Sequence, residues 1–205
     1  AEEYDGIERR DCMKKNVKTV LGAVIVIALI VGCYYYMSHR KTTAAEDDVE
    51  ITQLQEVLSK KLDSSYPPTP REVIKFYNRI LECAYGGEYD EAQFDRLINQ
   101  ARKLMDEELL ENNPQDTYKS QFQQEISSYK EKSQKILQTT VCDSDEVDYR
   151  EVEGRKCAYV DAAYFMKAGK GDFYKTSQSY LLRKDQNGCW KILAYKLISS
   201  NDDEE

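Results

Sequence analysis

Histidine is almost missing from this 205-residue chain: its one copy, His39, lies close to the start. Chemistry that runs on an imidazole, as base, metal ligand or proton shuttle, therefore has no residue to use in the long C-terminal stretch. Six cysteines are present but no Cys-x-x-Cys pair, so the ligand spacing of a zinc site is lacking and no metal is expected. The glycines sit in turns rather than in a phosphate-cradling loop, and Ser127, Ser128, Ser133 and Ser177 have no nucleophile-elbow context. Positive charge is short as well. Residues 42–205 carry 22 Lys+Arg against 32 Asp+Glu, a net of −10. That argues against a nucleic-acid partner and against a polybasic membrane clamp, since both need local positive charge. No cofactor is expected from any motif.

What the chain does have is one long uncharged run, Thr19 to Met37, reading TVLGAVIVIALIVGCYYYM. As a helix, 19 residues at about 1.5 Å each roughly cross a ~30 Å hydrocarbon core. Lys14, Lys15 and Lys18 precede it, with Arg9 and Arg10 upstream, and only Arg40 and Lys41 follow closely. The basic excess predicts residues 1–18 as a cytoplasmic tip, 19–37 as a single-pass span in the lipid bilayer, and everything after His39 outside the cell membrane. Ile30-Val31-Gly32-Cys33 also satisfies the short pattern of a lipoprotein signal peptide, which would leave Cys33 lipidated. Tyr34, Tyr35 and Tyr36 prolong the apolar run past that cysteine as an interfacial belt, which favours the uncleaved span. Met13-Lys14-Lys15 reads as a natural start, with residues 1–12 an extension.

The outer part is long enough for one ordinary domain of about 140 residues. Residues 38–68 read as a tether carrying a juxtamembrane helix over 49–62, with Ile51, Leu54, Val57, Leu58 and Leu62 at helical spacing. Pro67-Pro68 closes it. The domain proper is expected at 69–199, followed by an acidic tail at 200–205. Thr69-Pro70-Arg71-Glu72 reads as a capping box opening a helix that carries Val73, Ile74, Tyr77, Ile80, Leu81 and Ala84, stopped at Gly86-Gly87. Asp90 with Gln93 opens a second helix running to Glu111-Asn112, and Asn113-Pro114 opens a third with Tyr118, Phe122, Ile126 and Tyr129 on one stripe.

From Leu137 the apolar period drops from about 3.6 to 2. Residues 137–142 and 147–153 are β-prone. Glu153-Gly154 turns into a strand over 156–167, Gly169-Lys170-Gly171 breaks it, and strands over 173–184 and 189–199 follow, joined by a turn at Asp185–Gly188. Helices followed by an antiparallel meander make an α+β fold, with three or four helices on one face of a curved sheet. Four outer thiols, Cys83, Cys142, Cys157 and Cys189, allow two disulfides in three pairings, or serve as small buried hydrophobes. Read by strict alternation, both sheet faces carry apolar side chains, with Trp190, Ile192 and Ala194 opposite Leu193, Tyr195 and Leu197. A second apolar face calls for a cover, so a homodimer through the sheet, or a protein partner, is expected.

The helices, the long strands and the closing Gly188-Cys189-Trp190-Lys191-Ile192 resemble the nuclear transport factor 2-like superfamily, also called cystatin-like or ketosteroid-isomerase-like. Tyr66–Val73, Glu108–Pro114 and Leu181–Asp185 leading to Trp190, together with the span, resemble an uncharacterised family of single-span membrane-anchored proteins from Gram-positive anaerobes. The fold resemblance implies a cone with a pocket between helices and sheet, in which enzymes of the kind place an acid or histidine and sometimes a tyrosine donor. On that footing Tyr77, Tyr85, Asp161, Tyr164 and Tyr180 are the ligand-pocket candidates. Asp161 or Glu82 inside an enclosed pocket would favour an isomerase-like enzyme; Asp161 on the open face would not. The expected function is a non-catalytic, membrane-anchored extracytoplasmic binding domain. The alternatives are a scaffold of a secretion or conjugation assembly, and a ketosteroid-isomerase-like enzyme.

Overall fold

The computed structural model describes residues 52–169 and 171–198. The expected span at 19–37, Cys33, the cytoplasmic tip, the tether up to Ile51 and the tail at 200–205 lie outside the described residues. No helix among the described residues is long and apolar enough to cross a membrane.

Five helices precede five strands among the described residues, an α+β order. Helix α1 (Gln53–Ser59) opens on a full capping box between Thr52 and Gln55. It is shorter than the 49–62 expected, and it is part of the packed domain. Val57, Leu58 and Leu62 are buried in the same core as the following helices, so the folded unit begins ahead of residue 69. Arg96 and Gln100 fix its end by donating to the carbonyls of Leu58, Val57 and Lys60.

Helix α2 (Pro70–Gly86) is capped by the Thr69 hydroxyl, which accepts from the Glu72 N–H at 3.2 Å. The reciprocal half of the expected capping box is not made. The Glu72 carboxylate turns to Lys75 Nζ, 3.0 Å away, where a charge-assisted bond is stronger than one to a neutral amide. Helix α3 (Glu91–Lys103) has both halves of its box, Asp90 with Gln93. It stops well before the expected Asn112. The reason is not local: the Asp106 N–H donates to the Ile192 carbonyl and the Ile192 N–H to the Leu104 carbonyl, both at 2.8 Å. This short parallel bridge to the last strand takes the backbone groups that a continuing helix would use. Helix α4 (Glu107–Asn112) restarts with Asp106 as N-cap, and α5 (Gln115–Glu131) follows Pro114.

The strands are β1 (Lys135–Val141), β2 (Asp148–Val152), β3 (Arg155–Ala168), β4 (Asp172–Lys184) and β5 (Trp190–Ile198). All pairings between them are antiparallel, in the order β1-β3-β4-β5, with β2 also on β3. The β2–β3 turn uses Glu153 and Gly154 at φ 52° and 74°, the primed geometry that suits a two-residue hairpin and that glycine adopts without strain. The β4–β5 turn is held by the Asp185 carboxylate, which accepts from the N–H groups of Asn187 and Cys189.

Along β3, Ala158, Val160, Ala162, Tyr164 and Met166 are buried under the helices. Tyr180 and Leu182 of β4, Trp190 and Ile192 of β5, and Val73, Ile74, Ile80, Leu97, Ile98 and Leu104 of the helical layer complete that core. Each such buried aliphatic side chain contributes about 1.5–3 kcal/mol. Trp190 is buried as the sequence predicts, against Tyr149, and Tyr66 Oη donates to its carbonyl at 2.8 Å.

The two-faced reading of the sheet is corrected. A bulge at Leu193 shifts the β4–β5 register, pairing Leu182 with Ile192 but Leu181 with Ala194. Ile192, Tyr195 and Leu197 therefore share the helix side, and Ala194 joins the open side. The middle of the open face is Thr140, Asp161, Ala163, Ser177 and Ser179, small and mostly polar by register. Exposed apolar groups on that face lie instead at its ends, Phe165 and Phe173 at one and Val152 at the other. Among the described residues Cys83, Cys142, Cys157 and Cys189 are free thiols, Cys83 and Cys157 buried, Cys142 and Cys189 partly so.

Candidate functional site

Four of the five sequence-chosen residues converge. Tyr77 and Tyr85 descend from α2, one on each side of the buried Leu81; Tyr164 and Tyr180 rise from β3 and β4 on the helix side. Tyr77, Tyr85 and Tyr180 line a cleft of about 300 Å³ between the helices and the sheet. Tyr118, Phe122 and Glu125 of α5, Met105 and Leu109 around α4, and Gln178 and Tyr195 of the sheet complete its wall. Tyr164 lies one layer beneath, hydrogen-bonded to Tyr180. Asp161 does not join them. It sits between the inward Val160 and Ala162, points to the open face and is exposed. Glu82 is not in the cleft either: its carboxylate accepts from Thr139 Oγ1 at 2.7 Å and Gln53 Nε2 at 2.8 Å, tying α1, α2 and β1 together.

The rings interlock. Tyr77 meets Tyr180 edge-on at 6.0 Å, Tyr85 meets Phe122 edge-on at 5.6 Å, and Tyr195 tilts over Tyr180 at 5.8 Å. Such pairs add about 0.5–1.5 kcal/mol each beyond area burial, so the wall is rigid before anything binds.

Behind the rings runs a buried polar chain. The Asn78 carboxamide oxygen is 2.8 Å from Tyr164 Oη, Tyr164 Oη contacts Tyr180 Oη, and Tyr180 Oη is 2.6 Å from Gln178 Oε1. Three links need three protons, and two hydroxyls supply two. The Asn78 NH₂, buried and without a partner, is the available third donor. Turning that amide over gives one consistent direction: Asn78 Nδ2 to Tyr164, Tyr164 to Tyr180, Tyr180 to Gln178. Gln178, in the cleft lining, is then the terminal acceptor of the chain.

Electrostatically the cleft is simple. Burial pushes the Tyr77, Tyr85 and Tyr180 hydroxyls well above the ordinary tyrosine range, with the neighbouring tyrosines and Glu125 adding to the effect. Burial likewise raises Tyr118 to about 12. At neutral pH these hydroxyls are therefore protonated donors, not bases or nucleophiles. Glu125 is the single charged residue in the lining.

A larger groove of about 800 Å³ lies on the other side of α4, lined by Lys103, Asp106, Glu108, Arg155, Arg183 and Lys191 among others. Its charges are largely spent on one another. Arg183 bonds both Asp106 carboxylate oxygens and Glu108; Lys103 pairs with Asp63; Lys191 Nζ donates to the Lys103 carbonyl and sits 4.3 Å from the Tyr66 ring centre. It is a structural network that anchors α4, and through Leu109 it holds one wall of the tyrosine cleft.

Sequence reasoning missed Tyr118, Glu125, Gln178 and Tyr195 as site residues. Tyr118 was visible only as one member of the α5 stripe. Tyr195 was hidden by the bulge at Leu193, which no two-residue period reveals.

Residues 10–195 match the model of a family described as a domain of unknown function (DUF6715), and the chain belongs to that family. No curated protein matches it.

Proposed function

We propose that this chain is a membrane-anchored, extracytoplasmic binding domain of nuclear transport factor 2-like (cystatin-like) architecture, which holds a ligand in the tyrosine cleft and performs no chemistry on it. The observation that carries the reading is the meeting of Tyr77, Tyr85, Tyr118, Tyr180 and Tyr195 around one preformed cavity. Concave, mostly apolar sites with a few oriented polar groups are where small molecules bind. The Thr19–Met37 run and its upstream lysines supply the anchor and the orientation in this account.

An isomerase-like enzyme is disfavoured on three counts. Asp161 is on the far face, Glu82 is committed to Thr139 and Gln53, and the protonated cleft hydroxyls can donate to a ligand but cannot serve as the missing base. A general base would need a titratable group within hydrogen-bond reach of a bound carbonyl in a dry pocket, and Glu125 is exposed. A scaffold role would call for one broad apolar surface. The exposed aromatics are instead divided among the cleft mouth at Tyr195, the sheet end at Phe165, Phe173 and Tyr174, and Tyr149 of β2.

The test is a photo-crosslinking amino acid placed at Tyr195 or at Asp161 in the full chain, in native membranes of intact cells. A small-molecule adduct at the Tyr195 position and none at the Asp161 position is the expected result. Adducts at Asp161 alone, or at neither, would remove the cleft from the account. External protease on wall-stripped cells should degrade the domain in the same preparation; protection until the membrane is opened contradicts the orientation.

A further inference from the structure

The tyrosine cleft has an unusual charge balance for so polar a chain. Its lining holds five tyrosines and Phe122 but no lysine, arginine or histidine, and its single formal charge is the Glu125 carboxylate. The chain as a whole is acidic, with a net charge of −8. An anionic ligand would enter against the global field and meet the Glu125 carboxylate with no cation in the lining to receive it. A cationic one is attracted by the carboxylate, by the negative faces of the aromatic rings and by the net field.

Building on the binding reading above, we infer that the cleft selects an organic cation: an amine or quaternary ammonium group seated among Tyr85, Tyr118 and Tyr195 beside Glu125. Three further observations support this. Glu125 lines the same cleft as all three of these tyrosines, and its negative charge adds to burial in raising the hydroxyl of each. The Tyr118 ring already receives a cation, since the Arg102 guanidinium stands 5.6 Å from its centre. Arg102 is outside the cleft lining, with Nη1 donating to the Asn113 carbonyl at 2.7 Å, so it is held back from the cavity rather than filling it. Finally, about 300 Å³ is ample for a trimethylammonium group with a short polar tail, for which the Gln178 amide and the tyrosine hydroxyls supply hydrogen bonds.

The discriminating experiment compares choline with its uncharged carbon isostere, dimethylbutanol, by titration calorimetry on the full chain in neutral maltoside micelles. The two differ in charge but hardly in shape. Choline should bind about tenfold tighter or more, the scale set by cation–aromatic and carboxylate attraction in a partly desolvated site. Glu125→Gln should reduce choline affinity by about tenfold and leave the isostere unchanged. Glu125 is exposed, so this variant keeps the fold, which the fluorescence of the lone Trp190 reports. Equal affinity for the two ligands, no binding of either, or a Glu125→Gln variant that binds choline as before each overturn the inference. Equal affinity leaves the binding reading standing, because the cleft is then occupied without charge selection. A missing adduct at the Tyr195 position would sink that reading instead.

Discussion

Replacing Arg183 by methionine should be among the most destabilising single changes outside the apolar core. Asp106 is buried, 3% exposed, and caps α4 through the Glu108 N–H. Arg183 is its charged partner, bonding both carboxylate oxygens from a side chain that is itself 14% exposed. Methionine keeps much of the apolar stem but leaves a desolvated carboxylate with one amide donor. Breaking a buried pair from one side costs about 3–5 kcal/mol, whereas the outer Arg183–Glu108 contact, half in water, adds at most about 1 kcal/mol. The pH dependence fixes the cause. Burial alone would raise the Asp106 pKa; the Arg183 hydrogen bonds, the Glu108 N–H and the nearby Arg155 outweigh it and hold the carboxyl below its ordinary 3.8. A depressed pKa stabilises the fold above the unfolded-state value and loses that contribution as pH falls through the folded one. The gap between wild type and Arg183→Met should therefore be full at pH 7 and should shrink in acid as Asp106 takes up a proton. Urea unfolding of the full chain in micelles, followed by Trp190 fluorescence, measures it. A difference below about 0.5 kcal/mol at neutral pH, the range of ordinary surface changes, or a gap that does not move with pH, would refute the assignment of Arg183 as the counter-charge.

Three further expectations can be checked on the same footing. Trp190→Ala should cost about 3–5 kcal/mol, because the indole is 7% exposed at the junction of β5 with Tyr66 and Tyr149; an unchanged urea midpoint, read by circular dichroism, contradicts this. Tyr164→Phe should cost about 1–3 kcal/mol, since it strands Asn78 and Tyr180 inside the core; a neutral effect would mean that the polar chain is not continuous. Asp161→Asn should stay within about 0.5 kcal/mol of wild type and leave choline binding untouched, as befits an exposed residue on the open face; a loss of ligand affinity would bring that face back into the account.

The parts of the fold that were legible in the sequence are those set by neighbours along the chain. Thr69 with Pro70, and Asp90 with Gln93, announce helix starts because the cap is made within three residues. Glu153-Gly154 announces a hairpin because the turn geometry demands it. What could not be read is what distant residues impose. The break at Leu104–Asp106 exists because Ile192 pairs with that backbone, 86 residues from Asp106. The side of Tyr195 is decided by one extra residue, Leu193, in the register against β4. The site divides in the same way. Tyr77, Tyr85, Tyr164 and Tyr180 are candidates because the fold resemblance implies a pocket between helices and sheet, and they lie on the helix and strands that would line it. The apolar sequence neighbours of Asp161 make it the buried-acid candidate, but alternation favours the open face for it, and there it lies, since those neighbours are inward for the very reason that Asp161 is not. Glu125 and Gln178 carry no local signal, since a solvent-side glutamate on a helix and a mid-strand glutamine acquire meaning only when α5 and β4 meet.

The most direct test of the central claim is a crystal structure of the full chain grown with choline. The account predicts density for the trimethylammonium group within the space bounded by Tyr85, Tyr118, Tyr195 and Glu125, with the open sheet face around Asp161 bare of ligand. A cleft closed by its own side chains, or a ligand seated at Phe165 and Phe173 instead, would contradict it.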